Sequence, residues 1–262
     1  MAEAVNTAVP AGAGSGPIGA EEFELLMFAA GVSAGLPLAV AVSGGGDSMA
    51  LARLAADWCG RHGVSLMALT VDHVLRPGSG REALQVGEWL AEAGIRHVIL
   101  QWDGVKPSRG IQAAAREARY RLMCDWAEEN GTAQLLVAHN LEDQAETFLM
   151  RLRRGAGVYG LASMAPQIHR RGIAIHRPLL GISRTRLRQT LVTRSQPWIE
   201  DPSNENPAFE RTRWRALVAA LELWGFDAAR LAGLAQCCAQ IRSQMDVLSD
   251  AVLAGVCNRY GS

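Results

Sequence analysis

Residues 40–48 read Val-Ala-Val-Ser-Gly-Gly-Gly-Asp-Ser. An apolar run from Leu38 to Val42 enters three glycines, an Asp-Ser pair follows, and Met49, Leu51, Leu54 and Trp58 then recur at helical spacing. A strand that ends in glycines and turns into a helix offers bare backbone N–H groups, and the positive end of the helix dipole, to an anion. Glycine suits the turn because a Cβ would hold a phosphate oxygen away from the backbone. The stretch is a phosphate cradle. It is not the kind that closes on Gly-Lys-Ser/Thr, because no lysine follows it and Lys106 is the only lysine in the chain.

Working outward, apolar runs at 37–43, 66–71, 97–102 and 135–138 read as strands, and the spacing predicts helices near 21–34, 47–61, 79–94, 111–129, 142–153 and 183–194. Residues 167–177 read as a hairpin around Arg170-Arg171-Gly172, and residues from about 216 onward as one or two amphipathic helices for packing or an interface. Strands alternating with helices predict an α/β fold, a doubly wound parallel sheet, followed by a small helical C-terminal segment. Such sheets bind ligands at the C-terminal ends of their strands, where Ser43, Asp72, His73 and His139 all fall. Gly155-Ala-Gly157-Val-Tyr-Gly160 matches the dinucleotide fingerprint, but it follows a helix and arginines instead of a strand, and no helix clearly opens from it. A dinucleotide site is therefore rejected. The expected organisation is a disordered leader over 1–20, a catalytic domain over 21–215, and a helical segment over 216–262 that is either the start of a second domain or a truncated end.

The net charge of zero argues against a generic nucleic-acid binder, yet the charge is unevenly spread. Residues 1–147 carry 10 basic and 18 acidic side chains, whereas residues 148–215 carry 13 arginines against 4 acids. The second stretch reads as either an RNA-facing surface or a solvated one. The five cysteines show no Cys-x-x-Cys spacing, which disfavours a zinc site or a disulfide scaffold, and Cys59 and Cys124 read as core fillers. The Ala/Gly/Pro-rich leader lacks a positive n-region and no apolar run reaches membrane-spanning length, so a cytoplasmic protein with no membrane partner is expected.

Ser43-Gly44-Gly45-Gly46-Asp47-Ser48 resembles the PP-loop of the N-type ATP pyrophosphatases, whose fold is adenine-nucleotide α-hydrolase-like. Further segments, in order, narrow the resemblance: Val71-Asp72-His73-Val74-Leu75-Arg76-Pro77, Ala115-Arg116-Glu117-Ala118-Arg119-Tyr120, Ala138-His139-Asn140-Leu141-Glu142-Asp143-Gln144-Ala145-Glu146-Thr147, Arg154-Gly155-Ala156-Gly157-Val158-Tyr159-Gly160-Leu161-Ala162-Ser163-Met164, Arg177-Pro178-Leu179-Leu180, and Glu200-Asp201-Pro202-Ser203-Asn204 ahead of Arg211, Arg213 and Arg215. Together these look like the bacterial tRNA(Ile)-lysidine synthetase family over roughly residues 36 to 216. The resemblance implies ATP and Mg²⁺ as cofactors, and tRNA(Ile) with a CAU anticodon and free L-lysine as substrates. It also leaves room for a homodimer. ATP would adenylate the C2 oxygen of the wobble cytidine, and lysine would displace AMP. Ser43, Gly44, Gly45, Gly46, Asp47, Ser48, Asp72 and His73 become candidates for the nucleotide, and Asp47, Asp143 and Glu146 for catalysis.

Asp143 and Glu146 share one helix face and can coordinate Mg²⁺, receive an ammonium or act as a base. Asp47 is a second Mg²⁺ candidate. Arg116, Arg119, His139, Asp201, Asn204, Arg211 and Arg215 are candidates for tRNA, with Tyr120 beside the first two to meet a splayed base. The chain departs from the family in carrying Asn140 and Glu142 where His and Asp are common. The family is also usually longer, with C-terminal domains that grip the tRNA body. Rival readings are a PP-loop tRNA thiolase, an amide-forming synthetase for a small molecule, and a non-catalytic ATP- or RNA-binding module.

Overall fold

The structure is a computed structural model that describes residues 14–75, 78–107, 109–200 and 210–260, the side chains of 210, 211 and 255–260 aside. The chain divides into two compact units. One combines the chain through Asn140 with Pro166–Pro202, and the other combines Leu141–Ala165 with the chain from Ser203 onward. The boundary at 216 expected from sequence falls inside a helix, Glu210–Glu222.

In the first unit, six strands form one sheet: β1 (Leu38–Ala41), β2 (Leu66–Asp72), β3 (Arg96–Gln101), β4 (Gln134–Leu136), β5 (Gln167–Arg170) and β6 (Ile173–His176). Their spatial order is β3-β2-β1-β4-β6-β5; every pairing is parallel except the β5–β6 hairpin at the edge. The expected parallel sheet and terminal hairpin are both present. Side chains alternate between the faces, as a period of two requires. Leu38, Val40 and Leu136 join one core with α1 (Ala20–Ala29), α2 (Gly46–His62), α3 (Ser79–Glu92) and α7 (Arg184–Thr193). Ala39, Leu135 and Val137 join the opposite core with α4 (Ile111–Glu129). Cys59 and Cys124 fill these two cores, and burial pushes the Cys59 thiol up to about 11, so it stays protonated and inert.

The sheet order reverses at β1: the chain leaves it toward β2 on one side and returns with β4 on the other. Ligand crevices open at such a reversal, beyond the strand C-termini. Here that places the glycine turn after β1 beside His139 and Asn140 after β4.

Part of the expected disordered leader is instead packed. Ile18 is buried and its N–H donates to Thr190 Oγ1 at 2.9 Å; Arg186, itself buried, donates from Nε to the Gly16 carbonyl at 2.8 Å. Both terminal nitrogens of Arg186 reach Glu22 at 2.7 Å. A bidentate carboxylate balances the buried guanidinium and ties the segment before α1 to α7.

The second unit contains α5 (Leu141–Arg153), α6 (Val158–Leu161), α8 (Glu210–Glu222) and α9 (Ala228–Tyr260). Ala145, Phe148 and Leu149 of α5 pack with Leu231 and Ala235 of α9. A single helical turn, α6, does open from the Gly155–Gly160 loop, contrary to expectation. Arg151 donates to the carbonyls of Gly160 and Ser163 at 2.6 and 2.9 Å, so this loop presents oxygens to a cation and not amides to a pyrophosphate. No helix among the described residues is long and apolar enough to cross a membrane.

His97 and His176 are buried or half-buried, and desolvation depresses the pKa of both; His176 Nδ1 shares a 2.8 Å hydrogen bond with the Ala30 carbonyl, and His97 Nε2 one of 2.7 Å with Thr70 Oγ1. They stay neutral in the fold below the pH at which they protonate in the unfolded chain, near 6.5. The unfolded state then binds more protons, so stability falls as pH drops below about 6.5, by up to ~1.4 kcal/mol per pH unit per histidine. Urea unfolding at pH 7.5 and 5.5 is expected to show this loss. His176→Gln, which can still donate to Ala30, should flatten it.

Candidate active site

The phosphate loop is shaped from both ends. Ser48, in the first turn of α2, donates from Oγ to the Gly45 carbonyl at 2.9 Å and accepts the Ser43 N–H at 3.1 Å; the Ser43 and Ser48 hydroxyls lie 3.2 Å apart. The two serines hold the loop closed on itself. Gly44 has φ +84°, and a Cβ there would lie 2.7 Å from Val86 Cγ2 and 2.8 Å from Ile199 Cδ1. Both backbone conformation and space thus require glycine at 44. No side chain caps α2 at Gly45. Its first-turn amides therefore remain for an outside anion, as a phosphate site needs.

Asp47, also in this first turn, is held from two other elements. Asn140, fully buried at the end of the β4 segment, donates to Asp47 Oδ2 at 2.9 Å, and Arg184 at the start of α7 lies 3.4 Å from the same oxygen. The Asp47 side chain is 26% exposed, so it is fixed in place and still reachable. Sequence reading missed Arg184 and gave Asn140 no role. A carboxylate at a helix N-terminus after a glycine turn was the available signal that something must orient it.

At the end of β2, Asp72 is buried and its Oδ1 accepts the Val74 N–H at 2.9 Å, closing a turn in which Val74 has φ +50°. Asp72 shapes the backbone that presents His73. The His73 ring meets Trp102 edge-on at 5.7 Å between centroids, and Lys106 lies over that indole at 4.1 Å while donating to the Trp102 carbonyl. Burial, then the charge of Arg119, depresses the His73 pKa; Asp72 opposes this and Lys106 adds to it. The ring is neutral at neutral pH. Its Nδ1 is buried without a hydrogen-bond partner among the described residues.

Tyr120 does not offer a stacking platform. It is 4% exposed, packed in the core, with Arg170 at 4.9 Å and Arg116 at 5.2 Å over its ring. Arg170 also pairs with Glu117, and Arg171 with Asp125 at 3.0 Å. Burial lowers the pKa of the neighbouring Arg177, opposed by the Tyr120 hydroxyl.

In the second unit, Asp143 and Glu146 are both buried on α5, as their shared face implied. Glu146 is 1% exposed and accepts from Arg215 Nε at 3.1 Å. Arg215, a candidate for tRNA, is 30% exposed and also balances this buried carboxylate, which a low-dielectric site cannot leave unpaired. Asp201 and Asn204 lie outside the described residues, as does the Arg211 side chain.

Two outcomes follow from these contacts. Asn140→Ala should weaken ATP-dependent turnover about 10- to 100-fold, the worth of one charge-assisted hydrogen bond, and Asn140→His, which can still donate, should recover most of it. Arg215→Ala should destabilise the second unit by about 2–3 kcal/mol in urea unfolding, a figure reduced for the one-third exposure of the arginine.

A family model for the PP-loop domain matches residues 25–221. The chain is 47% identical over 236 residues to the tRNA(Ile)-lysidine synthase of Bradyrhizobium sp. strain BTAi1, covering 89% of this chain and 65% of that protein. It is 42% identical over 240 residues to the one of Methylobacterium nodulans, covering 90% and 70%. It therefore spans just under two thirds of the length of several curated relatives it matches. Among solved structures, a U34-tRNA thiolase from Methanococcus maripaludis carrying a [4Fe-4S] cluster superposes with a TM-score of 0.64 at 18% identity, over 79% of this chain and 72% of that one, a likeness of fold alone. With Gly44 forced into its glycine-only turn and Asp47 locked beside it, these matches agree with the geometry: the chain belongs to the PP-loop ATP-binding family and, within it, to the tRNA(Ile)-lysidine synthases.

Proposed function

We propose that this chain carries the adenylating and ligating activity its relatives' name implies, joining free L-lysine to the wobble cytidine of tRNA(Ile) with a CAU anticodon. The cytidine O2 attacks the α-phosphorus of ATP and pyrophosphate leaves. The lysine ε-amine then attacks C2, loses a proton, and AMP departs with the O2 oxygen. The observation that carries the reading is Asp47, fixed by Asn140 and Arg184 at the mouth of a glycine turn whose helix has no cap of its own.

The first unit supplies the nucleotide end. Backbone amides of the Gly44–Ser48 turn receive the pyrophosphate and stabilise the charge that grows there as it leaves. Among the described residues no three His, Cys, Asp or Glu side chains gather as a metal site. A magnesium ion arriving with ATP needs only one or two protein carboxylates, and the part-exposed Asp47 fits that requirement. Bound there, the ion would neutralise charge between the phosphates. Neutral His73, with its buried Nδ1, suits a nucleoside edge better than a phosphate.

The candidates for the amine lie on α5, in the second unit. Two buried carboxylates on one face of α5, Asp143 and Glu146, are the candidates for the lysine ammonium, and Glu146 also accepts from Arg215 Nε at 3.1 Å. Leu141 follows Asn140 directly, so the residue that holds Asp47 and the helix that bears Asp143 are adjacent in sequence. The thiolase reading is the weaker one. Cys59 and Cys124 are buried in separate cores, and the adjacent pair Cys237-Cys238 lies on α9 with no third ligand gathered beside it among the described residues.

Incubating the protein with CAU-anticodon tRNA(Ile), ATP and L-lysine should add the mass of lysine less water to the wobble nucleoside, with AMP formed in equal amount. Mass analysis distinguishes this from a sulfur-for-oxygen exchange. Asp47→Ala should abolish AMP formation, and turnover near that of the unaltered protein in this variant would refute the site assignment.

A further inference from the structure

The phosphate loop does not hold its shape alone. The chain leaving α7 runs as a strap, Gln196–Glu200, back along α2 and across the loop, all within the first unit. With Arg194 just before it, its contacts follow α2 from Asp57 back to Gly46. Arg194 pairs with Asp57 at 3.1 Å, and Gln196 Oε1 lies 3.5 Å from Arg53 Nη1. At the loop itself, the Ile199 N–H donates to the Gly44 carbonyl at 2.8 Å, and the Ile199 side chain occupies the space a Cβ on Gly44 would need. The Trp198 indole lies against Gly46, 3.5 Å from where its Cβ would stand. Trp198 is fixed in turn: its Nε1 donates to Glu200 at 3.0 Å, and Arg188 holds the same carboxylate oxygen at 3.1 Å.

The peptide bond turns these contacts into an aiming device. In a trans peptide the C=O and the following N–H point in opposite directions. Tying the Gly44 carbonyl to the strap sends the Gly45 N–H away from it. Ser48, taking the Gly45 carbonyl, does the same for the Gly46 N–H. A turn at φ +84° has no intrinsic preference strong enough to keep those amides convergent, because glycine samples many alternatives.

We propose that the strap is the positioning element of the phosphate loop, with Ile199 and Trp198 clamping Gly44 and Gly46 so that the loop amides are already aimed when ATP arrives. This rests on the ATP-dependent reading above. It predicts a selective loss of ATP binding, since an unclamped loop must be ordered by the nucleotide itself.

Ile199→Pro deletes the N–H donor, Ile199→Ala keeps the donor and removes the packing, and Trp198→Ala and Trp198→Phe separate the loss of the indole from the loss of its Nε1. Calorimetric titration with ATP, steady-state kinetics and urea unfolding are read together. Ile199→Pro and Trp198→Ala should raise the ATP Kd and KM about tenfold or more, with the lysine KM within twofold and the unfolding midpoint nearly unchanged. Ile199→Ala and Trp198→Phe should fall between these variants and the unaltered protein. An ATP Kd within twofold of the unaltered protein's in both severe variants would overturn the proposal. So would ATP and lysine constants rising together with a falling unfolding midpoint, as general damage would cause. If the unaltered protein binds ATP yet adds no lysine to tRNA, the ligase reading fails, while the titration still decides the role of the strap.

Discussion

The first turn of α2 is short of hydrogen-bond acceptors, and much of the first unit can be understood as a response to that shortage. A helix starting directly after a strand exposes several amides with no intrahelical partner. A side-chain cap would satisfy one of them and block the anion, and this helix has none. The loop is instead stabilised from the carbonyl side: Ser48 takes the Gly45 oxygen and Ile199 the Gly44 oxygen. Every donor spent on a carbonyl leaves an amide pointing the other way. The reversal of strand order at β1 then supplies the neighbours, because only there can the end of β4 deliver Asn140 to the carboxylate of Asp47.

What was legible in the sequence was local or periodic. The glycine turn, the alternating strands and the placement of Ser43, Asp72, His73 and His139 at strand ends all rest on patterns a few residues long, and the sheet bears them out. Residues whose meaning lies in a distant partner were not legible. Asn140 and Asp47 are 93 positions apart, and Arg184 and Asp47 are 137 apart, with no spacing rule to connect them. The leader shows the same limit. Its composition is that of a flexible segment, yet Ile18 finds a pocket beside Thr190, 172 positions on. Composition measures what a segment can bury by itself, and this segment is buried by something else.

Asp72 and Tyr120 show how a residue can be the right type for one task and be spent on another. Asp72 sits at a strand end where a ligand would be, but its oxygen serves the Val74 amide and so fixes the entry of His73 into the crevice. Tyr120 lies on α4 beside two arginines, as a base-stacking residue would, but its ring is in the core and the arginines stack on it. In both cases burial decides. A buried polar atom already satisfied internally is not open to a ligand.

The charge partition along the chain has the same explanation. The acidic stretch before residue 148 and the arginine-rich stretch after it find each other in the fold: Glu22 with Arg186, Asp47 with Arg184, Asp57 with Arg194, Glu117 with Arg170 and Asp125 with Arg171. Glu146 takes Arg215, and Arg188 pairs with Glu200, so among the described residues at least seven arginines of that stretch hold a carboxylate. An arginine bound to a carboxylate contributes little net field at a distance, because the two opposite charges screen each other. Part of the positive charge that suggested an RNA-facing surface is thus matched by the protein's own acids. Recognition of a polyanion must rest on where individual guanidinium groups remain accessible, not on the sum of charge along a segment. An arginine pair can also exchange its carboxylate for a phosphate at little cost when both lie at the surface, since exposed ion pairs contribute only about 0–1 kcal/mol. Arg171, half exposed in its pair with Asp125, is of that kind; Arg186, buried against Glu22, is not. The same residue type in the same charged stretch is structural in one place and available in the other, and depth below the surface separates the two.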